Sequence, residues 1–390
     1  MKEAFISYIW FNKLFFEHQE TLMGEKVEIV SPGIANNDAG PDVFNAKVKI
    51  DGQLWAGNVE FHVKASDWHL HNHDEDKSYQ HIILHVVLEA DEQIVTMDEK
   101  PIPTIELKFP EFILRNYTEL TKVPFGCDST ISRIDKLHLV AWLERLAIER
   151  LEAKVENIEC VVNSSTTDWD QVLYVLLARA IGTNVNGEAM QQLAMAVPLR
   201  HLRHLSDNQL QIEAMLLGTA GLIERLADTY NKELYRREYK FLKEKFGLCA
   251  PLEVFRFSRM RPANFPTVKI MQLATMIREL PAVESLIGDE GLKVEELRKK
   301  PELHLINCYL PCLFLYAERH NYEEMKEQVV DMMHTLPPER NFITRHFQTR
   351  GISAHNAAES QALIQLYRRY CEMHNCLQCR FAHELINRRR

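Results

Sequence analysis

Two strand-like runs, 43–50 and 54–64, are separated by little more than Asp51-Gly52. Asp-Gly is a strong hairpin signal, because both central residues of the favoured two-residue turn take positive φ. Such a hairpin assigns every side chain along it to a face, since the strand period is two. Val59, Phe61 and Val63 share one face; Glu60, His62 and Lys64 share the other. Alternation alone describes a half-buried strand with a solvated outer side.

The flanking sequence extends this into a sheet. Residues 5–16 read as an amphipathic helix with Phe5, Ile9, Leu14 and Phe15 turned inward, and 27–31 as a short strand ended by Pro32-Gly33. The aliphatic run 82–88 reads as a central strand, with 94–97 and 104–108 extending the sheet and the polar, histidine-rich 66–78 as a loop. After Pro110 the period changes to that of helices. Residues 137–158 carry Leu139, Leu143, Leu146, Ile148 and Leu151 at core spacing. Asp168, with Gln171 three residues on, is an N-cap for 172–181. Further helices fit 188–197, 208–217, 222–246, 268–278, 302–318, 323–334 and 359–373, and Pro266 suits a first turn. The expected fold class is α+β. A mixed-sheet domain flanked by helices spans 1–110, a connection spans 111–134 around Pro124, Gly126 and Ser129, and an all-helical domain spans 135–390.

Composition narrows the function classes. The 390 residues carry a net charge of −9, so any contact with a polyanion needs a local basic patch. Residues 1–18 are apolar but broken by Glu3, Asn12 and Lys13, unlike a signal peptide, and no apolar run is long enough to span a bilayer. Most of the eight cysteines are scattered. A cytoplasmic, reduced protein with no membrane partner is the expectation.

The chemistry-bearing residues concentrate around the hairpin. Asp42 opens its first strand and Glu60 lies in its second, while His62, His69, His71, His73, His81 and His85 crowd the same short region. Two carboxylates hold a hard divalent cation such as Mg²⁺ or Mn²⁺, which activates water and polarises a phosphoryl oxygen. Lys64 and His62 share the face of Glu60 and suit water handling and charge stabilisation, with His71, His73 and His85 as candidates to flank the cleft. Register imposes a condition. With a two-residue turn, Glu60 falls opposite Val43 and Asp42 opposite Phe61, which puts the carboxylates on opposite faces. A longer turn or one bulge restores a common face, and Gly57 is a plausible bulge site.

Pro41-Asp42 followed by Glu60-Phe61-His62, with Lys64 close behind, resembles the PD-(D/E)XK nuclease signature. The order helix, strand, Asp-bearing strand, Glu-bearing strand is similar to that superfamily's core. The resemblance covers about the first hundred residues. It implies a restriction-endonuclease-like domain, metal ligation by Asp42 and Glu60, and a nucleic-acid substrate. The sequence departs from the signature where His62 occupies the usual lysine position. A degenerate, non-catalytic domain is therefore the alternative, with the helical half binding protein or nucleic acid. Over nearly its whole length the chain also resembles an uncharacterised bacterial family of unknown function. Its marks are Asn37-Asp38-Ala39-Gly40-Pro41-Asp42, Gly57-Asn58-Val59-Glu60, Ser66-Asp67-Trp68, Ile83-Leu84-His85-Val86-Val87 and Arg261-Pro262-Ala263-Asn264-Phe265-Pro266.

Other clusters compete. His69, His71 and His73, with Asp74 or Asp76, offer donors for a zinc hydrolase, against the plainer reading of surface histidines. Cys371, Cys376 and Cys379 suit Zn²⁺ or an iron–sulfur cluster if a fourth ligand joins them. Cys127, Cys308, Cys312, His374 and His383 are the candidates, and reduced cysteines packing a helical domain are the plain alternative. Arg256, Arg259 and Arg261 interleave with Phe257 as a strip for phosphates and a stacked base, or as a connection whose arginines pair with acidic residues. The terminal Arg388–Arg390 reads as a solvated tail. No Gly-rich phosphate loop or nucleophile elbow is present.

Overall fold

The hairpin forms as its turn dictates. In the computed structural model, Asp51 and Gly52 have φ of 46° and 82°, and Ile50 pairs with Gln53. The structure describes residues 3–36, 39–95, 100–122, 125–128, 130–161, 168–248, 255–289 and 291–389. Asn37, Asp38, Pro124, Ser129 and part of the expected strand 94–97 lie outside them.

The chain divides into a sheet unit, Met1–Lys136 with Arg368–Arg390, and a helical unit, Leu137–Tyr367. Helix α1 (Glu3–Phe11) opens the sheet unit and is followed by β1 (Gln19–Glu20), β2 (Lys26–Ser31), β3 (Ile34–Ala35), β4 (Val43–Ile50) and β5 (Gln53–Lys64). A short helix α2 (Asp67–Leu70), β6 (Ile82–Glu89), β7 (Thr104–Glu106) and α3 (Glu111–Thr121) complete it. The strand order is β1-β2-β4-β5-β6-β7, with β3 also on β4. Pairing is antiparallel from β1 through β5 and parallel from β5 through β7. The parallel step needs a crossover, and α2 with the following turns supplies it.

Helix α1 lies against β5 and β6. Phe5 and Ile9 are buried as expected, and Trp10 packs its ring against Phe61 while its Nε1–H donates to the Pro32 carbonyl at 2.8 Å. Leu14 and Phe15 lie beyond the helix, which ends at Phe11, and are only half-buried.

The last segment of the chain belongs to the sheet unit, a correction to the expected domain 135–390. Buried Asn116 of α3 donates through Nδ2 to the carbonyls of Leu385, Ile386 and Arg388 at 3.4, 2.9 and 3.1 Å. These bonds satisfy carbonyls that a helix C-terminus leaves without partners. The expected connection 111–134 thus carries α3 and is part of the sheet unit.

The helical unit begins with the long helix Lys136–Val161 and the helix Trp169–Ile181, where the Asp168 side chain accepts from the Gln171 N–H at 3.0 Å. Three expected helices are interrupted, one of them 359–373, which passes from an α-helix ending at Gln365 into a π-helical segment, Leu366–Cys371. The span 222–246 breaks into a 3₁₀ turn, Ile223–Arg225, and a helix, Lys232–Phe246, because Asn231 caps a new start. The span 302–318 passes through a π-helical segment, Leu305–Tyr309. No described helix is long and apolar enough to cross a membrane.

Candidate metal centre

The turn has the two residues that alone would separate the carboxylates, so the register must change elsewhere. It does so within β4. Val43 pairs with Val59 but Ala46 with Gly57, so Phe44 and Asn45 together face Asn58. Asn45 takes φ 56°, a left-handed value that asparagine tolerates better than most residues. The bulge brings Asp42 level with Glu60. The Asp42 N–H donates to Glu60 Oε2 at 3.0 Å, and the Phe61 N–H donates to Asp42 Oδ2 at 3.0 Å.

A second bulge lies on the other side of β5. Asn58 pairs with Ile82 but Val59 with Leu84, so Ile83 is the extra residue and His85 comes level with Glu60. Gly57 is required here rather than as the site of the β4 bulge. A Cβ at Gly57 would stand 2.5 Å from Ile83 Cγ2. Both strands flanking β5 therefore shift to bring a polar residue beside Glu60, and bulges concentrate next to functional sites.

The face of Glu60 and His62 is not solvated. Glu60 is 5% exposed, and His62 and His85 are fully buried. The cover is the segment after β5. Trp68 is buried and donates through Nε1 to Asp74 Oδ1 at 3.0 Å, which pins the loop. Asn72 turns it with φ 58°, and His73 stacks on Tyr79 with ring centroids 3.8 Å apart.

Inside, His62 Nδ1 lies 2.8 Å from His85 Nε2, and His62 Nε2 lies 3.1 Å from His71 Nδ1. Glu60 Oε1 is 3.3 Å from His73 Nε2 and 3.9 Å from His62 Nε2. His62, His71 and His73 each offer a donor atom, and the three atoms lie within 4.8 Å of one another. His73 Nε2 is buried and makes no hydrogen bond, although Glu60 Oε1 is near. A cation shared with Glu60 would satisfy both atoms. The donor set, with Glu60 Oε1 beside three imidazoles, fits a divalent metal.

The electrostatics follow from burial. Burial, then the Glu60 charge, pushes the Asp42 carboxyl up to about 7. Burial, then His85, His73 and His71, pushes His62 down to about 2, and burial with His73 pushes His85 down to about 3. Both imidazoles are thus neutral, the form that ligates metals. Glu3, at the start of α1, is a candidate that the sequence reading missed. Its carboxyl is raised by burial, and His71, Glu60 and His73 all act on it. In the sequence it stood out only as a break in an apolar stretch. Tyr79 was also missed; burial, then Glu60 and Asp42, pushes its hydroxyl up to about 12.

The other expected site residues are placed differently. Lys64 is exposed at the end of β5, and its Nζ pairs with Glu89 at 3.1 Å. Among the described residues it forms no ion pair with Asp42 or Glu60. His69 also stays outside, with Nδ1 on Asp74 at 2.6 Å and Nε2 3.7 Å from Glu92. The histidine trio is therefore His62, His71 and His73 rather than His69, His71 and His73, because α2 and left-handed Asn72 replace strand-like alternation with a turn. Arg256, Arg259 and Arg261 are exposed in the helical unit and form no ion pair among the described residues. Phe257 is engaged by its own unit, packed edge-on to Phe265 with Arg225 over its ring. Cys371, Cys376 and Cys379 lie in the sheet unit, as does Cys127, whereas Cys308 and Cys312 are buried in the helical unit.

A model of the family described as a protein of unknown function, DUF2851, matches residues 3–301. No curated protein and no solved structure matches the chain.

Proposed function

The chain belongs to the DUF2851 family, and from its geometry we propose a divalent-metal-dependent hydrolase that cleaves phosphodiester bonds of nucleic acid, in the manner of PD-(D/E)XK nucleases. One observation carries this reading: bulges on both neighbours of β5 bring Asp42 and His85 level with Glu60, beside three imidazole donors, buried His62 with His73 and the exposed His71. Asp42 immediately before β4 and Glu60 within the next strand, β5, after α1 and the short strands β1 to β3, support it.

Glu60, His62, His71 and His73 would hold the metal, with Asp42 beside them and Glu3 within electrostatic reach. The bound metal would polarise a phosphoryl oxygen and lower the pKa of its water. Asp42, with its carboxyl held near neutrality, is placed to exchange a proton at working pH. His62 stands where the nuclease signature has lysine. Being neutral, it serves as a donor atom rather than a positive charge. So nitrogen-rich a site favours Mn²⁺ or Zn²⁺ over Mg²⁺.

The test is a panel of single- and double-stranded DNA and RNA with Mn²⁺, Zn²⁺ or Mg²⁺. Cleavage with Mn²⁺ or Zn²⁺ that disappears in Glu60→Ala supports the proposal. Pairing of Lys64 with Glu89, away from the carboxylates, favours a second reading: a metal-bound scaffold that binds nucleic acid without cutting it. Metal binding without cleavage of any substrate in the panel would select it.

A further inference from the structure

His85 lies against the far ring nitrogen of His62, outside the trio of imidazole donors. It is fully buried, and its Nε2 is 2.8 Å from His62 Nδ1. Its other nitrogen, Nδ1, is buried and makes no hydrogen bond among the described residues. Trp68 packs edge-on against the ring with centroids 5.3 Å apart, and the backbone N–H donates to the Pro103 carbonyl at 2.8 Å. An imidazole buried with half of its hydrogen-bonding capacity unmet costs stability that an apolar side chain of similar size would not. Packing alone therefore does not account for a histidine at this position.

Its place depends on the bulge at Ile83. Without the extra residue Leu84 would stand level with Glu60 and His85 with Phe61, on the opposite face of the sheet from His62. With it, His85 pairs with Glu60 and its ring reaches the back of His62. Spacing assigns the two nitrogens of His62. Two donor atoms on one metal, each at about 2.0–2.1 Å, sit about 3.0–3.4 Å apart. His62 Nε2 is 3.1 Å from His71 Nδ1, and Glu60 Oε1 is 3.3 Å from His73 Nε2. Nε2 is thus the ligating atom of His62. A neutral imidazole has one bare nitrogen and one N–H. With Nε2 on the metal, the proton of His62 must stand on Nδ1, where His85 Nε2 is the acceptor at hand.

We propose that His85 is a positioning residue of the metal centre: its bare Nε2 accepts the Nδ1–H of His62 and so holds His62 in the tautomer whose Nε2 faces the metal. The role presupposes the metal centre at Glu60, His62, His71 and His73. Each imidazole keeps one ring proton, and His85 carries its own on Nδ1. Ligating histidines ordinarily have their second nitrogen engaged in this way, by a carboxylate, a carbonyl or water. Here the acceptor is an uncharged ring, which adds no second negative charge beside Glu60.

Calorimetric titration of the full-length protein with Zn²⁺ tests this, with His85→Leu and His85→Gln beside the wild type. Removing the acceptor in His85→Leu should weaken Zn²⁺ binding about 10–100-fold. His85→Gln, whose amide oxygen can accept the same proton, should recover most of that loss. In the Zn²⁺-bound wild type, ¹⁵N spectra of labelled histidine should show His62 protonated at Nδ1. Wild-type affinity in His85→Leu, an equal loss in both variants, or a bare Nδ1 on the bound His62 would overturn the role and leave the metal centre standing. Wild-type protein that takes up no Zn²⁺ would overturn the metal centre and the role with it. If His85→Leu does not fold, the ring-nitrogen spectra of the wild type still decide.

Discussion

The two units bury different kinds of residue. The helical unit packs apolar side chains such as Tyr174, Met190, Leu193, Ile212, Met215 and Leu242. The polar side chains it buries, such as Asn186, Ser360, Gln361 and Gln365, carry no charge, and at helix ends Asp168, Asn208, Asn231, Asn341 and Asn356 accept from orphan N–H groups. The sheet unit instead buries Glu60, His62 and His85 side by side. Withdrawing ionisable groups from water is unfavourable unless something pairs with them. An apolar core with capped helices is explained by stability alone. A buried carboxylate facing an imidazole nitrogen that makes no hydrogen bond is better explained by a ligand.

Glu60→Gln should break the contrast most severely. It keeps the size of the side chain and weakens its metal ligation. Metal-dependent cleavage is expected to fall by about a thousandfold or more, equivalent to about 4 kcal/mol. Thermal unfolding of the metal-free protein should meanwhile hold or shift upward, because a buried charge has been removed. A comparable loss of stability would make Glu60 a structural residue.

Leu193→Ala should show the reverse pattern. The side chain is fully buried in the helical core, so its truncation is expected to lower unfolding free energy by about 2–5 kcal/mol. Metal affinity measured by calorimetry should stay unchanged. A large drop in affinity would join the two regions that the comparison separates.

A third test uses pH. His62 and His85 stay neutral in the fold down to about 2 and about 3, whereas Asp42 keeps its proton up to about 7. In the unfolded chain imidazole takes up a proton below about 6.5 and the carboxyl loses one above about 3.9. Between about pH 4 and 6.5 the unfolded chain thus gains two imidazole protons and lacks one carboxyl proton, relative to the fold. The difference is one proton in favour of the unfolded chain, so stability from these groups rises with pH by up to about 1.4 kcal/mol per unit. Urea midpoints in chelator at pH 5 and pH 6.5 check it. A flat or falling trend would mean that the histidines are not held neutral.

The smallest effect belongs to Lys64→Ala. With its ammonium on Glu89 at the exposed end of β5, the change should leave melting temperature, metal affinity and cleavage close to wild type. Loss of cleavage would restore Lys64 to the site.

The hairpin was legible because Asp51-Gly52 encodes its own backbone, and both residues take the positive φ that such a turn needs. The need for a register shift was also legible, because alternation and turn length fix the faces. Its position was not. Asn45 bulges β4, while Gly57 answers to Ile83 on a strand whose register depends on a crossover. The histidine trio was half visible for a similar reason. Alternate spacing grouped His69 with His71 and His73, but a helical turn and left-handed Asn72 send His69 to Asp74. His62 reaches the others only across the fold. Glu3 depends on contacts between distant segments, which no local pattern encodes.

Anomalous diffraction from crystals soaked in Mn²⁺ addresses the metal centre most directly. One peak is expected at about 2.1 Å from His62 Nε2 and from the nearest Glu60 oxygen, with His71 and His73 completing the shell. Density there without an anomalous peak at saturating Mn²⁺, or a peak bound only by exposed carboxylates elsewhere, would contradict it.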